Sequence, residues 1–89
     1  MRIIDEDALD ECRERWRCER CGKPTPSGCE PHHIFTRGAG RLDIRCNLIG
    51  LCRACHPEVQ EGGKAARDEC LRIVARRERI EVEDIEDIV

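Results

Sequence analysis

The apolar positions of this chain recur at two spacings. Leu9, Cys12 and Trp16 fall at helical intervals behind Asp5, a suitable N-cap with Glu6 and Asp7 in the first turn. Residues 5–17 are therefore expected to form a helix with one buried stripe. Trp16 is read as a core residue on that stripe rather than as a base-stacking group. Lys23-Pro24-Thr25-Pro26-Ser27-Gly28 is turn chemistry and breaks any regular element. Glu30 to Phe35, closing on Ile34-Phe35-Thr36, and Asn47-Leu48-Ile49-Gly50-Leu51 suit two short extended stretches. Between them Arg37-Gly38-Ala39-Gly40-Arg41 reads as a flexible basic loop. A helix is expected to open near Arg53, with Pro57 tolerated in its first turn, and to stop at Glu61-Gly62-Gly63. A further helix spans about 64–79 and buries Leu71 and Val74, joined by Cys70 and Ile73. The tail from Ile80 alternates acids and aliphatics, and a strand, a short helix or a partner-binding segment all fit it.

Composition narrows what these elements can build. With 89 residues the chain is one domain, 1–89, divided into an N-terminal helix (1–17), a central module (18–60) and a C-terminal helix with an acidic tail (64–89). Trp16 and Phe35 are the only large rings, so the core is thin, and a domain of this size generally needs a staple. No apolar run approaches the ~20 residues that a membrane span requires. The acidic start Asp5-Glu6-Asp7 lacks the apolar stretch of an export signal, so a cytoplasmic, intracellular location is expected. In a reducing compartment the eight cysteines are metal ligands or buried thiols; a disulfide scaffold is the competing reading of an even count.

Spacing favours metal. Cys18-Glu19-Arg20-Cys21 and Cys52-Arg53-Ala54-Cys55 are two C-x-x-C pairs, separated by 30 residues. Two intervening residues let both sulfurs of a pair face one ion, and Gly22 follows the first pair where a tight turn favours positive φ. Together the pairs supply a closed four-thiolate zinc site. Cys12, Cys29, Cys46 and Cys70 read as small buried hydrophobes, although Cys29 or Cys46 could replace one ligand. A thioredoxin-type redox pair would need a βαβ context that the chain lacks.

All three histidines lie inside or beside this module: His32 and His33 in the insert, and His56 directly after Cys55. On a strand His32 and His33 face opposite ways. Successive helical residues stand about 100° apart, which turns His56 away from an ion held by both cysteines and toward a second site. Each histidine taken alone has a plain structural reading; the concentration of all three in one place argues for chemistry.

The run Cys18-x-x-Cys21, Pro31-His32-His33-Ile34, Asp43, Asn47-Leu48-Ile49-Gly50-Leu51, Cys52-x-x-Cys55-His56 resembles an HNH endonuclease with an embedded four-cysteine zinc site, over about residues 18–60. That resemblance implies a small α+β fold: a ββα-metal (His-Me finger) core stapled by structural Zn2+, with flanking helices. It implies His33 as the general base and His32 and His56 as ligands of one catalytic divalent ion. Asn47 would hold the loop and orient the base, and Cys18, Cys21, Cys52 and Cys55 would bind the structural zinc. His32 stands where the family more often has Asp. An imidazole pair is softer, so Ni2+ joins Mg2+ and Mn2+ as a candidate ion.

The implied reaction is hydrolysis of DNA phosphodiester bonds to 5′-phosphate and 3′-hydroxyl ends, with one strand nicked per monomer. An imidazole suits deprotonation of water near neutral pH, and a cation suits the charge that grows on the phosphorane and the leaving oxygen. Family analogy also suggests a phage or prophage setting with packaging or restriction partners. The overall charge of −3 argues against DNA only as an average. Residues 1–12 carry −4, residues 13–53 carry +5 and residues 54–89 carry −4. Within the basic segment Arg37, Arg41, Arg45 and Arg53 are candidate phosphate contacts, whereas Arg72, Arg76 and Arg79 read as surface. The competing function is a non-catalytic zinc module that binds nucleic acid or protein.

Overall fold

The structure is a computed structural model that describes residues 4–35 and 42–88. Helix α1 (Glu6–Arg13) opens where expected: the Asp5 side chain accepts from the Asp7 and Ala8 N–H groups. It ends earlier than the apolar stripe suggested. Thr25 N–H donates to Trp16 O at 2.7 Å, Cys18 N–H donates to Lys23 O at 3.0 Å, and Arg17 bridges Pro24. The backbone of 16–18 is thus committed to the first cysteine turn and cannot continue the helix. One consequence corrects an expectation: Trp16 is 65% exposed and lies outside the core. The Arg17 guanidinium sits 4.3 Å from its ring centroid.

Strands β1 (Glu30–His33) and β2 (Leu48–Leu51) form an antiparallel pair with His32 opposite Ile49 and His33 opposite Leu48. A 3₁₀ turn, Arg45–Asn47, leads into β2. Helix α2 (Cys55–Glu61) follows at once, and α3 (Gly63–Glu78) continues from it after a break at Gly62-Gly63, with Gly63 at φ +64°. The tail resolves into a helix, α4 (Val82–Ile88), whose Ile85 is fully buried. Ile85, Leu71, Val74 and Cys70 meet Ile49 and Leu51 in the main core, and Leu9, Cys12 and Leu48 make a smaller one under α1. Every residue of β2 is buried, so this four-residue strand is the spine of the domain.

At Gly50, β2 passes close to the chain packed against it. A Cβ at Gly50 would lie 3.0 Å from Cys29 Cβ and 3.3 Å from Cys12 O. Cys12, Cys29, Cys46 and Cys70 are all buried. Burial pushes the Cys12 and Cys70 thiols up to about 11, which keeps them protonated. No helix among the described residues is long and apolar enough to cross a membrane.

Candidate functional site

Two residues of the first cysteine turn bring the distant C-x-x-C pairs together. Glu19 N–H donates to Gly50 O at 2.9 Å and Gly50 N–H donates to Glu19 Oε2 at 2.6 Å. This exchange docks Cys18 and Cys21 beside the end of β2, from which Cys52 follows. Arg77 of α3 clamps the same carboxylate, at 2.7 and 2.9 Å, and also donates to Leu48 O and Arg45 O. Glu19 and Arg77 are 10% and 17% exposed in their side chains, so neither charge is left to water and each depends on the other. Arg20 completes the docking with ion pairs to Glu58 at 2.7 Å and Glu69 at 2.8 Å.

The result is a cluster of Cys18, Cys21, Cys52 and Cys55 with all four sulfurs within 4.8 Å of one another. Among the described residues it is the group of three or more ligand-type side chains that closes to this distance. A tetrahedral zinc with Zn–S near 2.3 Å has sulfur–sulfur edges of roughly 3.8 Å; Cys21 Sγ and Cys52 Sγ are 3.8 Å apart. The donor set and its spacing therefore fit a structural metal such as zinc. Backbone N–H groups already point at the sulfurs, Cys21 N to Cys18 Sγ at 3.5 Å and Cys55 N to Cys52 Sγ at 3.4 Å. Burial opposes ionisation of Cys18, but N–H groups of Cys21, Cys52 and Arg20 outweigh it and bring the thiol down to about 7. Cys55 is raised to about 12 by burial and by the three sulfurs around it. Crowded thiols of this kind release their last proton to a dication. Cys29, the alternative ligand, is elsewhere: its Sγ meets Thr25 Oγ1 at 3.4 Å and the carbonyls of Arg15 and Arg17 at 3.3 Å. Cys46 is buried in the main core.

The histidines separate as strand alternation requires. His32 and its same-face neighbour Glu30 turn toward α2. The His32 and His56 rings stand edge to face with centroids 5.3 Å apart. His56 Nδ1 lies 2.7 Å from Glu30 Oε1, so it donates to the carboxylate and leaves Nε2 with its lone pair. Burial, then the neighbouring His56 and His33, press the His32 imidazole down to about 4, which keeps it neutral near pH 7. The His32 and His56 rings, the second oriented by a carboxylate, are a donor pair that suits a divalent ion with further oxygens from water or phosphate.

His33 takes the opposite direction. Its Nε2 lies 2.6 Å from Asp43 Oδ1, and the Asp43 side chain is fully buried. Asp43 Oδ2 accepts from Asp5 N–H at 3.1 Å. A carboxylate only accepts, so the pair places the His33 proton on Nε2 and the lone pair on Nδ1. Asn47, fully buried, spans the ends of the intervening segment: it bonds both polar groups of the Phe35 backbone and donates to Leu42 O at 2.9 Å. Its side chain faces backbone and not the histidines, so its place is that of a brace.

The arginine candidates divide. Arg37 and Arg41 lie outside the described residues. Arg45 is diverted from phosphate: its guanidinium pairs with Glu11 and, at 3.0 and 3.2 Å, with Glu78. Arg53 is exposed and has no carboxylate partner among the described residues. Three residues with no role assigned from sequence sit at the site: Asp43, Glu30 and Glu19. Asp43 did carry a signal, as a lone acid between Leu42 and Ile44 in a basic segment. Compared with family models, curated proteins and solved structures, the chain matches none of them.

Proposed function

We propose that this protein is a metal-dependent DNA endonuclease of the HNH type, with a ββα-metal core and a structural zinc in its four-cysteine cluster. The observation that supports this reading best is the pairing of His33 with buried Asp43 on one side of β1, while His32 faces His56 on the other. A zinc staple alone needs neither arrangement.

In this reading His33 Nδ1 accepts the proton of the attacking water as Asp43 holds the ring through Nε2. His32 and His56 would hold one divalent ion, Mg2+, Mn2+ or Ni2+, with Glu30 orienting His56. Bound there, the ion would supply Lewis acidity toward the phosphoryl and leaving 3′ oxygens. Asn47 braces the segment between β1 and β2 and so fixes the height of His33. One such site cuts one strand and leaves 5′-phosphate and 3′-hydroxyl ends.

The second reading is a zinc-binding module for nucleic acid or protein without catalysis. It is favoured by the four-cysteine cluster being the one closed ligand group among the described residues. Supercoiled plasmid incubated with the zinc-loaded protein and each ion separates the two. Open circles from wild type and none from His33→Ala support the nuclease. Equal conversion by both proteins, or none by either, supports the module.

A further inference from the structure

An open groove of about 450 Å3 lies beside the histidines, lined by His32, His33, Val59 and Gln60 and by Lys64 and Arg67 of α3. It runs on past Ile34 and Phe35 to Asp68 and Glu86. The groove is thus cationic beside the histidines, and at its far end the same Lys64 and Arg67 are joined by Asp68 and Glu86. Lys64 and Arg67 stand three residues apart on one helical face, about 5–6 Å between Cβ atoms, close to the separation of neighbouring phosphates on a strand. Arg67 lies over the Phe35 ring, 5.4 Å from its centroid, and pairs with no carboxylate among the described residues. Lys64 Nζ is 2.8 Å from Asp68 and largely exposed.

We infer that this groove seats the phosphate backbone of duplex DNA, with Arg67 and Lys64 of α3 contacting neighbouring phosphates and Asp68 competing for Lys64 when DNA is absent. The inference rests on the nuclease reading for the direction of the strand toward His32 and His33. It adds two phosphate contacts on α3 to those expected from Arg37, Arg41 and Arg53. Arg45 is tied to carboxylates, whereas the basic face of α3 opens on the histidines.

The test is fluorescence anisotropy of a labelled DNA duplex with the zinc-loaded full chain and no added Mg2+, Mn2+ or Ni2+. Lys64→Ala/Arg67→Ala is expected to bind about tenfold more weakly, with a dependence on log salt shallower by about two. Arg76→Ala removes an exposed charge from the same helix outside the groove and is expected to bind like wild type. Asp68→Asn frees Lys64 and is expected to bind more tightly. A double variant as tight as wild type, an Arg76→Ala as weak as the double variant, or an Asp68→Asn no tighter than wild type overturns the inference. Plasmid nicking, scored separately, tells the two failures apart. Binding with this pattern but no nicking removes the nuclease and leaves the groove. Nicking with binding indifferent to Lys64 and Arg67 does the reverse.

Discussion

The side chain of Asn47 satisfies both polar groups of the Phe35 backbone: Oδ1 accepts from its N–H at 2.8 Å and Nδ2 donates to its carbonyl at 3.0 Å. The same Nδ2 donates to Leu42 O, so one buried amide joins the two ends of the segment 36–41. Ile34 N–H donates to Asn47 O at 2.9 Å and closes the arrangement from the strand side. β1 ends at His33, short of the Phe35 expected from its apolar run, because the Phe35 backbone is held by a side chain and not by a strand.

Asn47→Ala removes three hydrogen bonds to the backbone of Phe35 and Leu42 and is expected to lower stability by about 2–4 kcal/mol. Denaturant unfolding at constant zinc measures it. A loss under about 0.5 kcal/mol would show that water replaces the amide.

Asp43→Asn keeps the size of the side chain and an oxygen for Asp5 N–H but removes the carboxylate from His33. Nicking is expected to slow by about 10²-fold, with DNA affinity unchanged and the melting transition close to wild type. Single-turnover nicking beside anisotropy reads both. Unchanged nicking would remove Asp43 from the positioning of His33.

Zinc is the staple of the thin core, worth on the order of 10 kcal/mol of folding free energy. Cys52→Ser is expected to lose stoichiometric zinc and cooperative unfolding. Cys70→Ala is expected to keep the metal, since Cys70 packs in the core outside the cluster. Metal content by mass spectrometry, with circular dichroism before and after chelation, distinguishes them. A folded, cooperative apoprotein would contradict the staple.

Glu78 gives a pH signature. Its bond to Arg45, then Arg77, outweighs burial and holds the carboxyl below its ordinary 4.5. A depressed folded value means the stabilisation is complete above the unfolded pKa and is lost as pH falls through the folded one. Glu78→Gln is therefore expected to be about 1–2 kcal/mol less stable than wild type at pH 7. The gap should shrink as pH falls below 4.5 and through the depressed folded value. Thiolate protonation affects both proteins alike and cancels in the difference. A gap independent of pH would sink this assignment.

The helices, the strand pair and the four-cysteine cluster were legible because each depends on local spacing. Asp5 caps α1, Gly22 takes φ +77° after the first pair, and Leu71 and Val74 are buried as their period required. What the sequence hid depends on distant partners. Trp16 sits on a helical stripe, yet the Thr25 and Arg17 bonds unwind the chain before it and leave the ring outside. Glu19 and Arg77 are 58 residues apart, and nothing local marks them as a pair. Arg45 reads as a free cation until α1 and α3 bring Glu11 and Glu78 against it. The tail alternated acids and aliphatics without a clear period, and only the core decides that Ile85 turns inward on a helix.

The central claim is that His33 and the His32–His56 pair hydrolyse DNA together. Its most direct test is cleavage of an end-labelled duplex by wild type, His33→Ala and His56→Ala across Mg2+, Mn2+ and Ni2+, with the product ends mapped. Wild type is expected to give metal-dependent single-strand cuts bearing 5′-phosphate and 3′-hydroxyl ends, and either variant at most traces. Cleavage that survives both substitutions, or no cleavage by wild type with any of the three ions, would contradict it.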